Sequence, residues 1–256
     1  MLLKLAILIC FISASFCLLL IIISKKNNSL LDQVHGIQKV HRQSVARVGG
    51  IGIFFSFLIG INVLSIKNNN PSYIYLLVSL LPIVLIGFYE DIKKKVGPIC
   101  RLDISFLSAL LAVMLLGSLI ERTGITVLDF LVRSKIVGAT FACIAIAGVT
   151  NAINIIDGMN GLSSGTSIVL FAAIGYIAFK FQDFFILSVV VVTAAAILGF
   201  FIWNYPYGRI FLGDGGAYFI GFVLAVSSIL LVNRNNQVSP WFPILILIYP
   251  AFETLF

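Results

Sequence analysis

The chain has 256 residues, of which 60% are hydrophobic and only 11% are charged, with a mean hydropathy of +1.11. This composition excludes a water-soluble domain, because the apolar residues fall in runs near the ~20 residues that span a bilayer as a helix. The alternating pattern of a membrane β-barrel is absent, and the formal net charge is +7. We therefore predict an all-α, polytopic integral membrane protein.

Nine apolar runs predict about nine transmembrane helices in one domain that covers residues 1–256. The first run, 5–23, is too long for a signal-peptide core and no small-residue cleavage motif closes it, so we interpret it as an uncleaved helix. The other runs lie at 51–66, 73–89, 104–120, 136–156, 165–180, 184–203, 216–232 and 241–256. Because the last run reaches the final residue, we expect the chain to be truncated or to lack a further C-terminal segment.

The loops between these runs differ in charge. Ten of the 17 Lys and Arg residues lie in the first, third, fifth and seventh loops. The positive-inside rule therefore predicts that these loops are cytoplasmic and that the N-terminus is outside. Six of the 10 Asp and Glu residues lie in the same loops, although acids contribute little to that rule. We expect the polar chemistry to gather on this one face.

Two polar clusters on this face precede the middle of the chain. The first is Lys39-Val-His41 with the later Arg47-Val-Gly-Gly, and its alternative interpretation is a basic collar with glycines for helix packing. The second is Glu90 and Asp91 at the end of an apolar run. Because adjacent residues do not face each other on a helix, we expect two separate tasks rather than one shared metal ion. Its alternative is a charged helix end.

Two further clusters come later in the chain. In 151–162, Asn151, Asn154 and Asp157 are three residues apart and would share one helix face, and the alternative is a polar helix cap. In 203–216, Asp214 stands among glycines before an apolar run. Free N–H groups at a helix start suit a phosphate, and a nearby carboxylate suits the cation that accompanies it. The alternatives are an acidic helix cap and an interfacial belt of aromatic residues.

Carboxylates on separate loops, with basic residues and bare backbone nearby, favour Mg²⁺ and phosphate over zinc or copper. Mg²⁺ is a hard ion that usually takes one or two protein carboxylates together with substrate phosphate oxygens. The residues alone therefore predict a membrane enzyme that acts on a phosphorylated substrate.

Three motifs resemble those of the polyprenyl-phosphate N-acetylhexosamine-1-phosphate transferase family (glycosyltransferase family 4), which is related to phospho-N-acetylmuramoyl-pentapeptide transferase. Gly87-Phe-Tyr-Glu-Asp91 looks like Gly-Phe-x-Asp-Asp, with Glu90 replacing an Asp. The stretch 154–162 looks like Asn-x-x-Asp-Gly-x-Asp-Gly-Leu, with Asn160 replacing an Asp. Phe211-Leu-Gly-Asp-Gly-Gly216 looks like Phe-x-Gly-Asp-x-Gly. We expect this chain to lack the family's His-containing cytoplasmic loop, which would come after the ninth helix.

The resemblance implies a reaction at the cytoplasmic face of the bacterial inner membrane. Undecaprenyl phosphate would attack the β-phosphorus of a UDP-N-acetylhexosamine and release UMP. Residues 203–218 look closest to the branch that starts O-antigen (lipopolysaccharide) and related surface polysaccharides. The implied cofactor is Mg²⁺, membrane lipid surrounds the protein, nucleic acid is not expected as a partner, and a homodimer is left open.

The resemblance also assigns the acidic residues. Asp214 would bind Mg²⁺, and Asp157 would hold the diphosphate and the metal shell. Asp91 would position or deprotonate the lipid phosphate, and Glu90 is counted with Asp91 and Asp157 as catalytic. A phosphate monoester has its second pKa near ~6, so the nucleophile is already largely ionised and we favour positioning.

The predicted substrate-binding residues are His41, Asn154, Asn160, Asn204 and Phe211. Asn154 would help to hold the diphosphate. Asn160, Asn204 and Phe211 would contact the nucleotide base, with Phe211 as the stacking surface.

Two other classes stay open at this point. A transporter would carry its polar site near the middle of the bilayer on broken helices, whereas these clusters fall at helix ends. An inactive relative that acts as a scaffold would keep the fold without turnover.

Overall fold

The computed structural model of the protein describes residues 1–26, 31–32 and 45–255. Its elements are α1 Leu2–Lys26, β1 Leu31–Asp32, β2 Val45–Ala46, α2 Gly49–Asn68, α3 Ser72–Lys93, α4 Pro98–Leu116, α5 Thr126–Val132, α6 Lys135–Ile155, α7 Leu162–Lys180, α8 Phe184–Asn204, α9 Gly213–Arg234, α10 Trp241–Ile246 and α11 Ile248–Leu255. Strands β1 and β2 pair antiparallel as a two-residue ladder. The described chain is otherwise helical, as predicted.

Eight helices in the described ranges are long and apolar enough to cross a membrane, namely α1 to α4 and α6 to α9. The prediction of a multi-pass helical membrane protein is confirmed. The ninth predicted run, 241–256, differs: it forms the short helices α10 and α11, which meet at Leu247. Pro250 accounts for the break, because proline has no N–H for the carbonyl of Ile246 and its ring crowds that carbonyl.

Helix α9 lies at the centre of the bundle. In its most apolar stretch 94% of the residues are buried inside the protein, compared with 22% for α1. Helix α9 packs closely against α3 and α6. A Cβ on Gly221 would lie 2.7 Å from the Cα of Thr150 in α6. Small residues permit this close approach, which strengthens helix packing where lipid supplies little hydrophobic drive.

Successive spans run in opposite directions, so each of the eight spans has one terminus at this end of the bundle. There α2, α4, α7 and α9 begin, and α1, α3, α6 and α8 end. We call this the polar end and define it by Arg47, Asp91, Arg101, Asp157 and Asp214. The segments predicted to carry the chemistry therefore meet at one end wherever the structure describes them.

At the opposite end, polar side chains close helix termini. Asp183 accepts a hydrogen bond from the first turn of α8 and pairs with Arg234 at 2.7 Å. The Arg122 guanidinium donates hydrogen bonds of 2.7 to 3.0 Å to the carbonyl oxygens of Val232, Asn235, Asn236 and Val238. The last carbonyls of a helix have no partner within the helix, so Arg122 satisfies the C-terminus of α9.

We expect Arg122→Gln to lower the free energy of unfolding by about 1–3 kcal/mol, because partly buried carbonyls lose charged donors. Thermal unfolding of the purified protein in detergent measures this change. The matched control is Arg133→Gln, which alters an exposed arginine in the same connection between α4 and α6. Equal melting temperatures for the two variants would contradict the role of Arg122.

Candidate functional site

The carboxylate of Asp91, in the last turn of α3, caps the first turn of α9. Its Oδ1 accepts a hydrogen bond from the Asp214 N–H at 2.7 Å, and its Oδ2 accepts one from the Gly215 N–H at 3.0 Å. The residue before α9, Leu212, supplies no side-chain cap. A carboxylate at a helix N-terminus is favoured by both the free amides and the helix dipole. The sequence clusters at 87–91 and 211–216 thus form one structural unit.

Glycines make this contact sterically possible. Gly213 has a φ of +79°, and a Cβ on it would lie 2.6 Å from Asp91 Oδ2. Residues other than glycine rarely adopt that backbone conformation. A Cβ on Gly87, one helical turn before Asp91, would lie 2.5 Å from the Cα of Gly215. The backbones of α3 and α9 therefore touch at the point where Asp91 reaches the amides.

The side chain of Asp214 is held between two arginines. Its Oδ1 accepts a hydrogen bond from Arg47 at 2.9 Å, and its Oδ2 accepts one from Arg101 at 3.1 Å. Only 12% of the Asp214 side chain is exposed, compared with 35% of Arg47 and 22% of Arg101. Arg47 precedes α2 and Arg101 lies in the first turns of α4, so two other segments of the chain converge on the carboxylate of Asp214.

Asp157 lies beyond the end of α6, in the turn that leads to α7, and is half-buried. Its carboxylate accepts no hydrogen bond from the residues that the structure describes. Burial raises the pKa of Asp157; the positive charge of Arg47 lowers it, and the charges of Asp214 and Asp91 raise it further. These interactions bring Asp157 into the same electrostatic environment as the other two acids.

Asn154 lies one turn before Asp157 and donates a hydrogen bond to the Tyr218 hydroxyl at 3.2 Å. Tyr218 is 1% exposed and also interacts electrostatically with Arg101. Asn151 donates hydrogen bonds to the Ser105 hydroxyl and to the Ala147 carbonyl within α6. Asn151, Asn154 and Asp157 therefore do not share one helix face as the spacing predicted, because α6 ends at Ile155 and Asp157 is no longer helical.

Glu90 and Asp91 have different partners, as expected for neighbours on a helix. Glu90 Oε2 accepts a hydrogen bond from the Val96 N–H at 2.7 Å and so holds the turn between α3 and α4. Glu90 also interacts electrostatically with Arg101. The catalytic role predicted for Glu90 stays a prediction.

Asn204 is buried at the end of α8, and its predicted contact with the nucleotide base stays a prediction. It is 5% exposed, and its amide accepts a hydrogen bond from the Gly161 N–H at 2.7 Å and donates one to the Ile210 carbonyl at 2.8 Å. Asn160 is exposed, and a Cβ on Gly208 would lie 2.5 Å from its amide nitrogen. The loop before α7 and the loop before α9 are thus fastened together.

Phe211 is half-buried, three residues before Asp214. Its N–H donates to the Ala46 carbonyl at 2.8 Å, and its carbonyl accepts from the Gly49 N–H at 2.9 Å. The segments before α2 and α9 therefore pair through their backbones, which fixes Arg47 beside Asp214. His41 lies outside the described residues.

The sequence interpretation gave no site role to Arg47, Arg101 or Tyr218. Arg101 had a usable signal: Pro98, after Gly97, is a favoured residue at the first helical position. A helix that begins there, six residues before the predicted 104, carries Arg101 to the polar end. Tyr218 gave no signal, because a tyrosine in an apolar helix resembles any core residue.

The polar end contains at least three carboxylates, Asp91, Asp157 and Asp214, for two guanidinium groups. This surplus of negative charge suits a cation, and the oxygen donors suit a hard ion such as Mg²⁺. No group of three or more His, Cys, Asp and Glu side chains that could hold a metal occurs among the described residues. The donor set fits an ion that uses one or two carboxylates and completes its shell with phosphate oxygens.

We expect Asn204→Ala to lower the free energy of unfolding by about 1–3 kcal/mol, because the Gly161 N–H and the Ile210 carbonyl lose a buried partner. Thermal unfolding in detergent provides the measurement. Asn62→Ala is the matched control, since Asn62 is an exposed amide bonded only within its own helix. If Asn204→Ala unfolds at the temperature of Asn62→Ala, the loop-fastening role is wrong.

Comparison with known proteins gives consistent relatives. A probable undecaprenyl-phosphate N-acetylglucosaminyl 1-phosphate transferase of Bacillus subtilis is 29% identical over 225 residues, which are 86% of this chain and 61% of that protein. A phospho-N-acetylmuramoyl-pentapeptide-transferase of Lactobacillus acidophilus is 33% identical over 187 residues, with shares of 70% and 56%. An undecaprenyl-phosphate alpha-N-acetylglucosaminyl 1-phosphate transferase of Thermotoga maritima is 27% identical over 231 residues, with shares of 90% and 66%.

The chain spans about three fifths of the length of these curated relatives. The family model described as glycosyl transferase family 4 matches residues 73–232, which include Asp91, Asp157 and Asp214. That match covers more than half of the chain and every span from α3 to α9. The protein belongs to glycosyl transferase family 4.

Proposed function

We propose that this protein transfers N-acetylhexosamine 1-phosphate from a UDP-sugar to undecaprenyl phosphate at the cytoplasmic face of the bacterial inner membrane. The observation that carries the proposal is the convergence of Asp91, Asp157 and Asp214 with Arg47 and Arg101. The names of the relatives support undecaprenyl phosphate as the acceptor and a sugar 1-phosphate as the transferred group. The product would start a surface polysaccharide of the O-antigen type.

In the proposed reaction, a phosphate oxygen of undecaprenyl phosphate forms a bond to the β-phosphorus of the UDP-sugar. The bond between the β-phosphorus and the bridging oxygen breaks, and UMP leaves with that oxygen and its electron pair. The lipid phosphate is already largely ionised at neutral pH, since its second pKa is near ~6. The protein therefore needs to position two anions and to offset their charge more than it needs to remove a proton.

Four of the five residues that define the polar end are given a task in this proposal. Asp214, with Asp157 beside it, would hold Mg²⁺, which supplies charge neutralisation for the diphosphate when bound. Arg47 and Arg101 pair with Asp214 and would bind phosphate oxygens, a task that suits the guanidinium fork. The net charge of +7 would attract an anionic sugar nucleotide and anionic lipid.

The exposed Asn160 would contact the nucleotide base from the loop before α7. Asn154 would sit beside the diphosphate, next to Asp157 and bonded to Tyr218. Phe211 remains the proposed stacking surface, His41 a proposed substrate contact, and Glu90 a proposed catalytic acid near Arg101.

We expect Asp214→Asn to lower the rate of UMP release by about 100-fold or more, because the site loses the charge that holds the cation. The assay uses purified protein in detergent with UDP-N-acetylglucosamine, undecaprenyl phosphate and Mg²⁺. Removal of Mg²⁺ with a chelator should stop the reaction, and added Mg²⁺ should restore it. The control, Asp103→Asn, removes an exposed acid from the same end of the bundle and should keep the wild-type rate.

Three results would count against the proposal. Near-normal turnover by Asp214→Asn would overturn the metal assignment. Full activity in the presence of chelator would do the same. A wild-type protein that is folded but releases no UMP from any UDP-N-acetylhexosamine would instead favour the scaffold interpretation.

A further inference from the structure

We infer that Asp91 is a positioning residue that fixes Asp214 by capping α9, and that it does not act as the base or as a contact to the lipid phosphate. This inference rests on the proposed function for its catalytic consequences. The cap itself stands on the geometry of the polar end.

The first reason is that both oxygens of Asp91 already accept short hydrogen bonds from backbone amides. They bind the N–H groups of Asp214 and Gly215 at 2.7 and 3.0 Å. Protonation of either oxygen would replace an acceptor with a hydroxyl that faces an N–H donor. A cycle in which Asp91 takes and returns a proton would therefore disturb the start of α9 in every turnover.

The second reason is that Asp91 acts directly on the residue that the site needs most. One of its two amide partners belongs to Asp214, so the cap holds the Asp214 backbone against α3. The Asp214 carboxylate meanwhile points to Arg47 and Arg101. Backbone and side chain of Asp214 are thus fixed from different directions, which is how supporting residues keep a metal ligand in place.

The third reason is that the surrounding glycines are explained by the cap. The positive φ of Gly213 and its contact with Asp91 Oδ2 leave no space for a side chain at that position. Gly87 and Gly215 allow α3 and α9 to approach until their backbones touch. A contact role for Asp91 would not require any of these three glycines.

The first experiment compares amide hydrogen exchange in the peptide 211–218 of the wild-type protein with that of Asp91→Asn. The carboxamide keeps one acceptor and turns an NH₂ group toward the other amide, so we expect faster exchange in this peptide. Asp103→Asn makes the same chemical change at an exposed acid and should leave the peptide unchanged. Wild-type exchange in Asp91→Asn would overturn the inference, and this result does not depend on activity.

The second experiment separates positioning from substrate contact by steady-state kinetics. We expect Asp91→Asn to raise the Mg²⁺ concentration for half-maximal UMP release by about tenfold, the usual cost of losing a residue that supports a metal ligand. The KM for undecaprenyl phosphate and the pH dependence of kcat should stay at their wild-type values. A raised lipid KM, or loss of the acidic limb of the pH profile, at an unchanged Mg²⁺ requirement would overturn the inference.

A second variant keeps the test decisive where Asp91→Asn yields no folded protein. Gly213→Ala leaves Asp91 in place but puts a methyl group where its Oδ2 lies. We expect faster exchange in 211–218 and the same raised Mg²⁺ requirement, although every acid is intact. Wild-type behaviour of Gly213→Ala would contradict the inference, whereas a wild-type protein without turnover would contradict only the proposed function.

Discussion

The polar end of this bundle depends on the contact between the Asp91 carboxylate and the first amides of α9. A helix that starts inside a membrane protein exposes N–H groups that lipid cannot satisfy. Here the partner comes from the end of another helix, 123 positions earlier in the chain. The contact therefore joins α3 to α9 and sets where Asp214 stands. Arg47 and Arg101 can meet in one place because Asp214 is fixed there.

Charge balance explains why the same end contains both acids and arginines. An isolated carboxylate in a poorly solvated site is costly, and a guanidinium within hydrogen-bonding distance offsets much of that cost. Asp214 has two such partners, whereas Asp157 has none among the described residues. Among the described residues, the two guanidinium groups therefore neutralise Asp214 and leave Asp157 without a hydrogen-bonded cation. This arrangement supports the proposal that the site binds a cation and phosphate groups.

Much of this arrangement was readable from the sequence, because the polar clusters lie in loops between apolar runs. Eight of the nine predicted spans, the all-α class and the grouping of 87–91, 151–162 and 203–216 at one end follow from hydropathy and alternation of direction. The partners of the polar groups could not be read in this way. Asp91 and Asp214 meet through backbone amides, which carry no sequence signal, and the residue type of Asn204 does not identify the two backbone groups to which it hydrogen-bonds.

Two other differences have physical causes that only the packed structure displays. The break at Leu247 depends on Pro250, which a hydropathy window averages away. The early start of α4 at Pro98 makes Arg101 helical and places it against Asp214, although the most hydrophobic part of that run begins later. In both cases a single proline sets the helix boundary, and average hydropathy does not identify that residue.

The hydrogen bonds of Arg122 at the C-terminus of α9 restrict how this helix can move. Arg122 donates hydrogen bonds to carbonyls at the C-terminus of α9, and Asp91 accepts them from amides at its N-terminus. The two side chains therefore place opposite charges at the two poles of the α9 dipole. A translation of α9 along its own axis would break the hydrogen bonds of both Arg122 and Asp91. A motion that opens the bundle and keeps these bonds would leave α9 in place and move the helices around it.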